Sequence, residues 1–267
     1  MAILSISREF RSGGRVIGQA VARQMGYDFV DKDRIHNDLK TIGEKWGLLS
    51  EEFDEVRPHL WEKYDWGYRG FVALIESAIF EYALKDRVVI VGRGSHILLQ
   101  EFPQVLKVRL FAPLEVRIER VMRDNEIDRE TAERLIEKTD QSRAGYIQVI
   151  YGKHWEDQQC YDLMLNTGHQ TFEQVTSELV EALKQWDQRV TPEDRQRLEN
   201  HALTARIKAR IFIHPEVFIP TLEVFHDGQS IVIKGTVHTP KEYHLVEEMV
   251  HQIADPHPVR NELHYRK

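Results

Sequence analysis

Cysteine is nearly missing from this chain. Cys160 stands alone in 267 residues, so no disulfide can close within the chain and stability has to come from a buried core, which this length allows. Long apolar runs are missing as well: no stretch approaches the roughly 20 residues of a membrane span, and the opening "MAILSISREF" lacks the basic-then-apolar order of a secretory leader. There is no excess of positive charge. Lys and Arg number 36 against 43 Asp and Glu, a net charge of −7, which excludes an overall basic footprint for nucleic acid or anionic lipid. Any anion site is therefore local. The chain holds 13 histidines, eight of them between 201 and 264, yet none in HExxH spacing, so no metal-ligand set is expected. These readings place the chain in the cytoplasm, with no nucleic-acid partner and no membrane association.

What is present is a series of short apolar runs, "AILSI", "YDFV", "RVVIVG", "VLKVRLFA" and "DLMLN", separated by amphipathic stretches. Their length and β-branched content suit strands buried on both faces, with helices as crossovers, which predicts a parallel α/β sheet. Residues 31–45 and 66–85 read as helices. The aromatic-rich "GLLSEEFDEVRPHLWEKYDWGY" is harder to assign and suits a helical insertion. Residues 113–150 are charged, helical in period and free of strand candidates, the pattern of a lid over a phosphate site. A closing helix, "TFEQVTSELVEALKQW", precedes a polar connector in which Thr191 and Pro192 read as a helix start. Two domains are expected, 1–188 and 193–267, the second a small α+β unit: a helix over about 192–213, two strands turning at Asp227-Gly228, a helix over about 240–253, and a last strand near "VRNELHY".

Between the first strand and first helix runs "SREFRSGGRV". A phosphate-binding loop of the form G-x-x-x-x-G-K-[ST] uses glycines to turn backbone N–H groups toward phosphates, a lysine to reach them and a hydroxyl to hold magnesium. On that frame this chain offers Glu9, Gly13, Gly14, Arg15 and Val16. Arg15 keeps a cation, in a planar fork suited to phosphate; Val16 offers magnesium no oxygen. On this motif alone, a plain strand–turn–helix and a phosphate site are equally good readings.

In order along the chain, "ISREFRSGGRVIGQAVARQMGYDFVDKDRI", "VIVGRGSHIL", "VLKVRLFAPLEVRIERVM", "KTDQSRAGYIQVIYGKHW" and "YDLMLNT" together resemble the cytidylate kinase-like family of P-loop proteins, through nearly all of residues 1 to about 185. The resemblance implies a nucleoside monophosphate kinase fold with a five-stranded parallel sheet, a donor loop, an acceptor region and an arginine-bearing lid, using ATP and Mg2+. It implies transfer of the γ-phosphoryl group to a nucleoside monophosphate of the CMP or dCMP kind, or to a similar small phosphorylated acceptor. A second reading is a non-catalytic nucleotide sensor; a third is a kinase for a non-nucleotide metabolite.

Carried over by position, Ser12, Gly13, Gly14 and Arg15 match the phosphate loop, and Arg15, Arg120 and Arg143 are the candidates for stabilising the transferring group. Asp33, Arg34 and Arg93 are the candidates for the acceptor. Asp31 and Asp33 would position an acceptor or magnesium, or cap the next helix; capping is preferred for Asp31, and Arg34 stays open. Arg93 resembles the arginine of a cytidylate kinase "GRD" element, with Gly94 in place of the aspartate. Arg117 reads as part of a solvated helix face with Glu115, Glu119 and Asp124, while Asp140 stands where it would orient Arg143. Lys153 reads as a surface lysine, Ser95 as a helix cap, Cys160 as structural, and Trp61, Tyr64, Trp66 and Tyr68 as core or interface more than as a stacking surface for a base.

The tail, with "IVIKGTVHTP" at its centre, resembles a BON domain, a family linked to envelope or phospholipid association and to ligand sensing. Without a basic face it reads here as a regulatory or oligomerising appendage, which allows a homo-oligomer. Its removal is expected to leave nucleotide binding intact.

Overall fold

The computed structural model describes residues 2–53, 58, 62–187 and 190–265. Two compact units emerge: residues 1–60 with 85–194, and residues 61–84 with 195–267. Proximity in space thus cuts the chain differently from the linear division expected at 188–193, because one helix from the middle of the chain counts with the tail.

The first unit is built on β1 (Ile3–Arg8), β2 (Asp28–Val30), β3 (Val88–Val91), β4 (Val105–Phe111) and β5 (Leu163–Asn166). They form one sheet in the order β2-β3-β1-β4-β5, and every pairing is parallel. All five apolar runs of the sequence became these strands. Helix α1 (Gly14–Met25) follows β1, and β2 leads into α2 (Lys32–Ile42) and α3 (Glu44–Glu52). The expected helix over 31–45 is interrupted at Gly43, and α3 takes up the start of the aromatic-rich stretch; Trp61 lies outside the described residues.

In this unit come also α5 (Ser95–Leu98), α6 (Leu114–Asn125), α7 (Arg129–Tyr151) and α8 (Phe172–Trp186). Thr171 and Gln174 start α8 with a reciprocal capping box. Alternation along β1 sorts its two faces. Leu4 and Ile6 join Ile17 and Val21 of α1 and Leu179 and Leu183 of α8 in the main core, a burial worth about 1.5–3 kcal/mol per large apolar side chain. Ser5 and Ser7 point the other way and are satisfied there: the Ser5 and Ser95 hydroxyls lie 2.7 Å apart, and Ser7 Oγ accepts from Trp155 Nε1 at 2.9 Å and from the Tyr161 hydroxyl at 3.2 Å. Ser95 therefore does not cap its helix; Gly94 holds the cap position.

The second unit contains α4 (Trp66–Leu84), α9 (Pro192–Phe212), β6 (Glu223–His226), β7 (Ile231–Val237), α10 (Pro240–Ala254) and β8 (Val259–Tyr265). Its sheet runs β6-β7-β8, with an antiparallel hairpin and a parallel β8. The helices and strands expected of the tail all form. Helix α4 lies against α9: the Trp66 ring stands 4.6 Å from that of Phe212, and Glu76 and Glu81 pair with Lys208 and Arg206 at 3.3 and 3.5 Å. Trp66 and the buried Tyr68 thus serve a core, while Tyr64 is exposed. Among the described residues no helix is long and apolar enough to cross a membrane.

Candidate functional site

Parallel pairing brings the ends of β1, β3 and β4 to one edge of the sheet. Ile6 pairs with both Val91 and Val108, and Gly92 N–H donates to Ile6 carbonyl at 2.9 Å. The loop Glu9–Gly13 leaves that edge and turns into α1. Gly13 has φ 87°, and a Cβ there would lie 2.6 Å from the Phe172 ring, so conformation and space both demand glycine. No side chain caps α1, and its amino end, with its partial positive charge, faces an open cavity.

The cavity measures about 630 Å³ and is lined by Arg8 at the end of β1, Arg11 and Gly13 of the loop, Gly14 and Arg15 at the start of α1, and Asp31 and Lys32 at the start of α2. Leu135, Lys138, Thr139, Ser142 and Arg143 line it from α7. Arg15 is half-exposed and stands 3.2 Å from Asp31 and 2.8 Å from Asp33. Asp31 caps α2, accepting from the amides of Asp33 and Arg34, as expected. Arg143 donates to Arg8 carbonyl at 3.1 Å and lies 4.0 Å from Asp140.

The loop is braced from beneath by buried charge. The Glu9 carboxylate meets Arg109 at 3.5 Å and Arg117 at 3.4 Å and accepts from Ala112 N–H at 3.2 Å. Asp140 accepts from Phe10 N–H at 2.8 Å and pairs with Arg117. Arg117 is therefore not on a solvated face. It is a buried strut, donating also to the carbonyls of Ala112 and Phe10 at 3.1 and 3.4 Å. Arg120 binds backbone as well, donating to Arg11 carbonyl at 3.0 Å and to Thr167 carbonyl at 2.7 Å, with its guanidinium 4.9 Å from the centre of the Phe172 ring. Burial, then the nearby Arg123 charge, lowers its pKa. Burial pushes the Cys160 thiol up, which opposes a reactive thiolate.

Of the residues singled out in the sequence, the structure gathers Gly13, Gly14, Arg15 and Arg143 around one cavity, with Asp33 held to Arg15. Ser12 is buried, its hydroxyl given to Glu9 carbonyl at 2.9 Å. Arg120 grips the loop from outside the cavity. Arg34 turns toward Asp38, 3.8 Å away, and Arg93 is enclosed at 1% exposure with φ 58°; neither lines the cavity. Lys153 is exposed. Sequence reasoning passed over Arg8, Arg11, Lys32 and Lys138. A signal for Lys138 existed: positions 135, 138, 139, 142 and 143 recur at steps of three and one, which is one face of a helix.

A parallel sheet whose first strand turns through glycines into a helix with an uncapped amino end, beside a helical arm that carries arginines, is the α/β arrangement in which anions are commonly held. The chain belongs to the cytidylate kinase-like family, whose model matches residues 3–169. It is 29% identical over 175 residues to a cytidylate kinase of Methanopyrus kandleri, covering 64% of this chain and 88% of that enzyme. It is also 30% identical over 99 residues to a uronate isomerase of Corynebacterium glutamicum, covering 37% of this chain and only 19% of that protein. A crystal structure of an uncharacterised protein from Eubacterium ventriosum superposes with a TM-score of 0.55 at 19% identity, covering 69% of this chain and 99% of that one, which speaks for the fold alone.

Proposed function

We propose that this chain transfers the γ-phosphoryl group of ATP to a small acceptor that already carries a phosphate, a class that includes nucleoside monophosphates such as CMP and dCMP. The observation that supports it most is the cavity itself: an uncapped helix amino end meets cations from the loop, α2 and α7. Phosphoryl transfer is catalysed mainly by positioning and by stabilising charge on the transferring group. The amides at the start of α1 and Arg15 would hold donor phosphates, and Lys138 and Arg143 would neutralise charge from the opposite wall. An acceptor phosphate is already ionised, so no general base is required. Magnesium would lower the charge of the donor. The Val16 side chain has no oxygen for it, and among the described residues no group of three His, Cys, Asp or Glu side chains could hold a metal ion; Asp31 and Asp33, both paired with Arg15, are the carboxylates that would meet a metal arriving with the nucleotide, in exchange for that pairing. Residues 195–265 fit a BON-like appendage in their order of helix, hairpin, helix and strand.

The test is coupled ADP release at fixed ATP across a panel of phosphorylated acceptors, with Arg15→Ala alongside. Acceptor-dependent ADP release that falls in the variant is the expected result; equal turnover by the variant would remove Arg15 from its role. A nucleotide sensor is the second reading, favoured by the two carboxylates already holding Arg15. Nucleotide binding by calorimetry with no turnover on any acceptor would select it.

A further inference from the structure

At the carboxyl end of β3 the chain turns through Gly92, Arg93 and Gly94, all in the left-handed region at φ 83°, 58° and 71°. This is the edge of a parallel sheet at which ligands bind, yet the space above it is filled. A Cβ on Gly94 would lie 2.4 Å from Cε2 of Tyr151. Tyr151 belongs to a cluster with Tyr146, Ile147 and Trp155, in which the other three are almost wholly buried. The recess left between Gly92, Gly94, His96 and Trp155 measures about 10 Å³, room for at most about one water molecule. The open cavity next to it presents six cationic side chains, Arg8, Arg11, Arg15, Lys32, Lys138 and Arg143, against the two carboxylates of Glu9 and Asp31. Both carboxylates are engaged with arginines. No side-chain amide lines it among the described residues, and its neutral polar side chains are the hydroxyls of Thr139 and Ser142, so groups that hold phosphate outnumber those suited to reading the edge of a base.

We propose that the acceptor is a compact phosphate ester without a heterocyclic base, of the sugar- or polyol-phosphate class, and that Tyr151 sets this specificity by filling the space over Gly94. The proposal rests on the phosphotransfer reading for the word acceptor, but its test does not. The full chain is titrated calorimetrically, without ATP, with ribose 5-phosphate and with CMP, which share a phosphorylated ribose and differ by the base. Ribose 5-phosphate should bind at least about tenfold more tightly than CMP, the mark of specificity by steric exclusion. Tyr151→Leu, which shortens the side chain, should narrow that gap several-fold, and Tyr151→Phe, which keeps the ring, should preserve it. CMP binding as tightly as ribose 5-phosphate to the unaltered chain overturns the proposal, as does failure of either phosphate to bind. A gap unchanged in folded Tyr151→Leu removes Tyr151 from the role. Absence of ATP turnover, measured separately, would count against the phosphotransfer reading and leave this comparison standing.

Discussion

Arg117 and Arg143 lie on the same helical arm and look alike in sequence, but their surroundings give them different work. Arg117 holds Glu9 and Asp140 together under the phosphate loop. Removing one partner of a buried ion pair leaves uncompensated charge, so Arg117→Ala should cost about 3–5 kcal/mol, read as a lowered midpoint in urea unfolding. Arg143 lines the cavity, donates to Arg8 carbonyl at 3.1 Å and lies 4.0 Å from Asp140. Arg143→Ala should lower the unfolding midpoint less than Arg117→Ala does, while lowering kcat about 10²-fold or more, as loss of a group aimed at developing charge does. If the two variants exchanged these effects, the division of labour would be reversed. Sequence reasoning did set the two apart, Arg143 at the site and Arg117 on a solvated face, but it missed the burial of Arg117, which depends on Glu9 and Asp140, distant in the chain. The same holds for Tyr151 over Gly94 and Phe172 against Gly13: each is a contact between elements, with no periodic trace.

At the scale of elements the sequence was far more informative. Strands buried on both faces must be apolar at nearly every position, so the five runs could be read directly, and polar interruptions such as Ser5 and Ser7 were absorbed by partners across the sheet face. The β6–β7 hairpin was legible for another reason, its turn chemistry. Asp227 accepts from the amides of Gln229 and Ser230 at 2.9 and 2.8 Å. Those amides, then Arg260 at 2.7 Å, hold its pKa at about 2, below the ordinary 3.8. Because the folded value is the lower one, the stabilisation is fully present above pH 3.8 and is lost as pH falls toward about 2. Asp227→Asn keeps a side-chain acceptor and removes the titration. The stability difference between the parent protein and this variant should therefore shrink over that window and be constant above it, measured by unfolding at stepped pH. A difference that stays flat through the acid range would mean the turn does not hold the carboxylate.

For the whole molecule, the informative element is α4. Its sequence, "WGYRGFVALIESAIFEYAL", buries ten of 19 residues, so it cannot stand as a solvated helix. Part of its cover is supplied by the tail. Trp66 meets Phe212 and Phe218, Phe80 meets His201, Arg69 donates to Pro220 carbonyl, and Glu76 and Glu81 pair with Lys208 and Arg206. The expectation from sequence, that removing the tail leaves nucleotide binding intact, divides the chain by position alone; α4 counts in space with the tail, and no local pattern announces where a helix buried on many sides finds its cover. A fragment ending at Asp194 retains α4 and loses α9, leaving Trp66, Phe80 and their surroundings in water, and exposed apolar patches of that kind drive association. The fragment should bind a hydrophobic dye and self-associate, and adding residues 195–267 as a separate chain should reverse both. A monomeric fragment that binds no dye and unfolds with the midpoint of the full chain would show instead that α4 is held without the tail.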